Sequence, residues 1–208
     1  MKKPRSVEEI EKLKGRILEA ALDIIMNEGF SALKMRSLAK KTRMTAPNIY
    51  NYFSGKDEIY LALVTQGFFE LKKRLVKAEE SCTEPKAAVK ALLKAYLDFG
   101  MENPAHYEIM FTRRTPKYND YKGTPNEKFS QAEYELSMEI AALSIETAAG
   151  AVGMTVDDKE ILQMVIEAWC LLHGMVSLYN SGVAAYVSDD LEGLYSLIIK
   201  KRVEELGM

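Results

Sequence analysis

Residues 30–60 read FSALKMRSLAKKTRMTAPNIYNYFSGKDEIY. Two short helical patterns flank a three-residue break, Arg43-Met44-Thr45. The second pattern, Ala46 to Phe53, is too short to hold its shape alone. Ile49 and Phe53 stand four apart and share one inward face. Asn48, Asn51 and Tyr52 fall on the outer face, and each can hydrogen-bond. Lys34, Arg36, Lys40, Lys41 and Arg43 precede the segment, and Lys56 follows it. A short helix pinned from one side, polar on the other and flanked by cations is what a helix-turn-helix presents to a DNA major groove.

Working outward, Ile10, Leu13, Ile17, Ala21 and Ile24 mark one face of a first helix. Asn27-Glu28-Gly29-Phe30 ends it, with Gly29 suited to a left-handed cap. Arg36 to about Thr42 is the second helix, and Thr45 is placed to cap the third. Ser54-Gly-Lys-Asp57 reads as the cap of a fourth helix reaching roughly Glu80. At about 36 Å it is long enough to act as a lever. Pro85 opens a fifth helix, Asn103-Pro104 interrupts the pattern, and a short sixth holds His106 to Phe111. Thr112 to Asn126, with Pro116, Gly123 and Pro125, reads as a mobile or functional loop. A seventh helix runs from Glu127 to about Ala149, an eighth from about Asp158 to Asn180, and a ninth follows Ser188-Asp189-Asp190. No alternating strand pattern occurs. The expectation is an all-α chain of about nine helices. Residues 1–56 form a three-helix head, and 57–208 a larger helical domain for ligand binding and dimerisation.

The chain has 208 residues, 48% of them hydrophobic and 28% charged, enough for a real core in one or two domains. No unbroken apolar run approaches the ~18 residues that a membrane span needs. The opening MKKPRSVEEIEKLKG lacks the apolar stretch of a secretory signal. Cys82 and Cys170 make neither a disulfide framework nor a metal site, so a reducing, cytoplasmic setting is expected. Net charge is −2, but its distribution is uneven. Residues 1–60 hold twelve Lys and Arg against eight Asp and Glu, and the rest hold sixteen against twenty-two. A cationic head on an acidic body steers the head toward phosphates.

Leu38-Ala39, Met44-Thr45, Ile49-Tyr50 and Phe53-Ser-Gly-Lys56 resemble the N-terminal domain of TetR-type transcriptional repressors, over roughly residues 10–65. Downstream, Asn103-Pro104, Tyr107, Met110-Phe111 and Trp169-x-x-x-His173-Gly174 resemble the subgroup named for its Trp-His-Gly signature. The resemblance implies that the second helix lies across the DNA backbone and the third enters the major groove. It places Ala46, Pro47, Asn48 and Asn51 at base-reading positions. It places Tyr50, Tyr52 and Lys56 at phosphates, with Lys34, Arg36 and Thr45 at the helix starts beside them. Asn favours adenine, and Ala or Pro can touch thymine methyls. Tyr50 has a second reading, as a half-buried core tyrosine, and Lys40 and Lys41 as a solvated face. The family usually has glycine where this chain has Arg43, so the turn is either reshaped or strained.

The eighth helix carries one stripe of Ile161, Val165, Ala168, Leu172 and Met175, with Leu162, Trp169, Val176 and Tyr179 beside it. A helix apolar on more than one face is buried on both sides. The resemblance implies that the last two helices form a four-helix interface in a homodimer, fitting a palindromic operator in double-stranded DNA. Methionines and aromatic residues on the body's helices suit an adaptable apolar pocket. The candidate ligand contacts are Tyr107, Met110, Phe111, Trp169 and His173. His173 either meets a ligand or is a satisfied core histidine where Gly174 lets another helix approach. No catalytic set, cofactor motif or metal spacing emerges. The expected function is a dimeric regulator, a repressor released from DNA by a small apolar or aromatic effector. The alternative is a helical ligand-binding or sequestering protein without operator function.

Overall fold

The computed structural model describes residues 6–206, which contain nine α-helices and no strand. They are α1 (Val7–Glu28), α2 (Met35–Thr42), α3 (Ala46–Tyr50), α4 (Lys56–Glu80), α5 (Pro85–Glu102), α6 (Pro104–Tyr107), α7 (Glu127–Val152), α8 (Lys159–Asn180) and α9 (Leu191–Glu204). The described residues form two compact units interleaved in sequence. One takes the residues through Gly67 together with Glu108–Tyr134, and the other takes Phe68–Tyr107 and the residues from Glu135 onward.

In the first unit, α1 starts at a capping box. The Ser6 hydroxyl accepts from the Glu9 N–H, and the Glu9 carboxylate accepts from the Ser6 N–H. Ile17, Ala21, Ile24 and Ile25 are buried, and so are Leu33, Leu38, Ile49 and Phe53 from the segments that follow. Each such large side chain contributes about 1.5–3 kcal/mol by leaving water. Gly29 ends α1 at φ 87° and ψ 163°, a positive-φ conformation but not the left-handed helical cap expected. Two hydrogen bonds of Ser54, from its N–H and its hydroxyl, go to Glu58 at 2.6 Å, one residue beyond the expected partner Asp57. The freed Asp57 carboxylate accepts from Tyr121.

The stretch 112–126 is not the open loop its composition suggests. Thr115 and Tyr121 are buried, and Tyr118–Tyr121 forms a 3-10 turn. The Tyr60 hydroxyl bonds Thr115 Oγ1 at 2.6 Å, and burial pushes that phenol up to about 12. Before it, Glu108–Thr112 is a π-helical turn continuing from α6, so the sixth helical segment changes its winding after Tyr107.

In the second unit, α8 packs on α5 and α5 on α9. Gly100 makes the first contact close. A Cβ there would lie 2.7 Å and 2.8 Å from the Val176 methyl carbons. Gly174, the point of close approach in one of the two readings of His173, faces open space. The expected stripe of α8 is buried at Ile161, Val165, Leu172 and Met175. Of the residues expected beside it, Val176 is buried, Trp169 and Tyr179 are partly buried and Leu162 is exposed; Ile166 and Leu178 are exposed too, as are Leu194, Leu197 and Ile198 on α9. α8 is also long and apolar enough to cross a membrane by length and composition, although charged and polar residues interrupt its apolar run. Only 28% of its most apolar window is buried, so its surplus hydrophobicity belongs to the uncovered face.

Candidate nucleic-acid interface

The break between α2 and α3 is built around Arg43, in the left-handed conformation with φ 56° and ψ 35°. Its N–H donates to Lys40 O at 3.4 Å, and the Met44 N–H donates to Ala39 O at 3.0 Å. These paired bonds satisfy the last carbonyls of α2 and turn the chain sharply. The geometry that glycine usually serves is kept, with an arginine carrying the strain. Thr42 is buried at the same corner, its hydroxyl donating to Leu38 O at 2.8 Å. Arg16 Nη2 reaches the Thr42 carbonyl at 3.4 Å, tying α1 to the corner.

α3 begins at Thr45, whose Oγ1 accepts from the Asn48 N–H at 3.4 Å. Helical winding ends at Tyr50, earlier than Phe53, and Asn51–Phe53 continue as a turn. The Tyr52 and Phe53 N–H groups both donate to Ile49 O. Ile49 is fully buried and Phe53 is nearly so, which anchors the helix as the spacing implied. Pro47, Tyr50 and Asn51 are exposed, and Ala46, Asn48 and Tyr52 are partly exposed. Tyr50 is 53% exposed, which removes its reading as a core residue. Lys34, Arg36, Thr45 and Lys40 are also exposed. Lys41 pairs with Asp23 on α1, so part of its role is to hold the unit together. Lys56, the first residue of α4, sits with Nζ 4.8 Å from the Phe30 ring centroid. That contact orients the ammonium beside a helix N-terminus, where anions are favoured.

Local pattern gave no sign of Arg113. Its Nη1 and Nη2 donate to the carbonyls of Ile25 and Met26, each at 2.8 Å, and Nε donates to Glu108 at 2.7 Å. One guanidinium thus closes the C-terminal end of α1 from a residue far along the chain. Only tertiary contact reveals it.

The candidate ligand residues are divided between the two units. Met110 and Phe111 belong to the first unit, whereas Tyr107, Trp169 and His173 belong to the second. There, His173 Nε2 lies 3.3 Å from the Tyr96 hydroxyl, and Nδ1 bonds the Tyr107 hydroxyl. A neutral imidazole has one N–H, so one tyrosine donates to it and the other accepts. Burial holds the imidazole below its usual value and pushes the Tyr107 phenol up to about 12. Trp169 lines an apolar cavity of about 60 Å³ with Leu92, Met164, Leu172, Arg202 and the same Tyr96 that meets His173. The Ser144 and Thr147 hydroxyls at its wall bond their own helix, at Ile140 O and Leu143 O. Among the described residues, no three potential metal ligands come together.

Comparison with known proteins agrees with this geometry at both ends of the chain. Residues 17–63 match the family described as bacterial regulatory proteins, tetR family. Residues 89–201 match the tetracyclin repressor-like C-terminal domain. YobS of Bacillus subtilis, an uncharacterized HTH-type transcriptional regulator, is 34% identical over 94 residues, 44% of this chain and 48% of that protein. The HTH-type transcriptional repressor NicS of Pseudomonas putida is 21% identical over 189 residues, 88% of this chain and 84% of its own. The chain spans about half the length of several curated relatives it matches, YobS among them. A bacterial regulatory protein in the tetR family from Rhodococcus RHA1 shares the fold, with a TM-score of 0.70 at 16% identity over 94% of this chain and 97% of that one.

Proposed function

Because this chain belongs to the tetR family of bacterial regulatory proteins, we propose that it is a transcriptional regulator that binds an operator through α3 and is released by a small apolar effector. The observation carrying this is the construction of α3. It is capped by Thr45, anchored by Ile49 and Phe53, and open to solvent at Pro47, Tyr50 and Asn51. Asn48 and Asn51 supply amides for base edges, with Ala46 and Pro47 for thymine methyls. Lys34, Arg36, Thr45, Tyr50, Tyr52 and Lys56 supply phosphate contacts. On this reading the head is 1–56 and the regulatory body 57–208.

The protein works as a homodimer on a palindromic site, its copies joined through α8 and α9. The exposed Leu162, Ile166, Leu194 and Leu197 support that surface. The cavity beside Trp169 supports an apolar effector, and repression is the sign we assign. On this reading the protein binds DNA and an effector and carries out no enzymatic chemistry. A cytoplasmic setting follows from DNA as the partner. The test is a mobility-shift titration on the DNA upstream of the protein's own gene. Asn48→Ala should weaken the specific complex by about 1–3 kcal/mol while leaving random-sequence binding nearly intact. Equal loss on both DNAs, or none on either, removes α3 from base reading.

A further inference from the structure

The segment 108–134 is remote from the helix-turn-helix in sequence yet lies in the same compact unit. Its course along α4 is set by side-chain contacts. Tyr60, in the second turn of α4, bonds Thr115 at 2.6 Å. Tyr121 donates from its hydroxyl to Asp57 Oδ1, in the first turn, at 3.3 Å. Between 115 and 121 the chain therefore climbs α4 toward the end that follows α3. The next residue, Lys122, is exposed, with Nζ 5.0 Å from the Tyr118 ring centroid. Tyr118 is in turn stacked on Tyr134 at 4.6 Å. The turn is thus a built platform that carries an ammonium on the residue after Tyr121, whose own hydroxyl reaches Asp57 in the first turn of α4.

Several of the segment's other charged groups are engaged, while Lys128 is exposed with Nζ 4.7 Å from the Phe129 ring centroid. Asp120 accepts from the Lys117 N–H at 2.7 Å, and Glu127 from the Gly123 N–H at 3.0 Å. The Arg113 guanidinium is spent on Ile25, Met26 and Glu108. Lys117 Nζ turns inward to Met110 O at 3.1 Å. Arg114 is exposed beside Thr115, a turn farther from that end of α4.

We propose that Lys122, carried on the Tyr118–Tyr121 turn, is a second contact to the DNA backbone, on phosphates flanking the stretch that α3 reads. The inference rests on the assignment of α3 as the recognition helix. A compact ammonium on a flexible stem suits a point contact to phosphate. The contact is independent of sequence, so it adds affinity and salt dependence but no base preference.

The experiment titrates full-length protein on a random-sequence duplex across a range of salt concentrations. Parent, Lys122→Gln, Lys122→Arg, Lys56→Gln and Lys73→Gln are compared, the last altering an exposed lysine of the other unit. Lys122→Gln should lower the slope of log affinity against log salt by about 0.9 per subunit. Affinity at low salt should fall several-fold. Lys122→Arg should keep the parent slope, and so should Lys73→Gln. A Lys122→Gln slope equal to the parent's, with Lys56→Gln reduced, overturns the second contact and leaves the α3 reading in place. A parent with no salt-dependent DNA binding overturns the α3 reading, and the second contact with it.

Discussion

Arg43 is the one non-glycine with positive φ among the described residues. A left-handed backbone costs an L side chain about 1–2 kcal/mol, partly offset because glycine loses more freedom on folding. Arg43→Gly should therefore stabilise the protein by about 1 kcal/mol, or roughly 2–4 °C in midpoint for a chain of this size. Thermal unfolding reads this directly, and a lower midpoint would show that the arginine side chain stabilises more than its backbone strains. Titration of the buried imidazoles is the second expectation at this scale. His106 Nε2 is buried without a partner, and burial holds both His106 and His173 below their usual value. A folded value below the unfolded one means that the unfolded chain takes the proton first. The stability these residues lend is present above the unfolded value, about 6.5, and is lost as pH falls below it. Unfolding midpoints should drop on acidification through that window, and His173→Gln should shrink the drop. A pH-independent midpoint there would mean that the folded protein accommodates the imidazolium at no cost.

At the scale of elements, the informative contact joins the end of α1 to the chain after α6. Arg113 closes two carbonyls at the negative end of a helix and keeps Glu108 paired. Charge-assisted bonds of this kind are worth about 1.5–3 kcal/mol each when broken one-sidedly. Arg113→Met should speed amide hydrogen exchange over the last turn of α1 and cost about 2–3 kcal/mol of unfolding free energy. Arg113→Lys should recover only part of this, because a point charge cannot span both carbonyls. Unchanged exchange near Met26 would mean that water replaces the guanidinium without loss. Helix existence was legible in the sequence, because periodicity and caps are local: Pro85 opens α5 and Asp190 caps α9. The turn at Tyr118–Tyr121 was not legible. Its prolines, glycine and polar residues describe a loop, whereas Tyr60 and Asp57, far away in the chain, help to hold it down.

At the scale of the whole molecule, the uncovered apolar faces of α8 and α9 set the expectation. Leu194 is 42% exposed and Leu197 62% exposed in a single copy. If two copies bury this surface against each other, Leu194→Glu places an unpaired charge in the seam, at a cost of several kcal/mol. Light scattering should then find monomers where the parent gives dimers, with operator affinity falling in step. A parent monomeric at micromolar concentration would exclude the pairing. By itself the sequence determined the helical class, the short third helix with Ile49 and Phe53 turned inward, and which stripe of α8 is buried. Those depend on spacing along one helix and on residues within a turn or two of each other. The tertiary structure alone decided that Gly100, not Gly174, is the point of close approach, and that His173 is held by Tyr96 and Tyr107. It also decided that 108–134 packs in one unit with α1, α2 and α3. Each joins residues far apart in the chain, and hydrophobic periodicity carries no information about which distant face a side chain will meet.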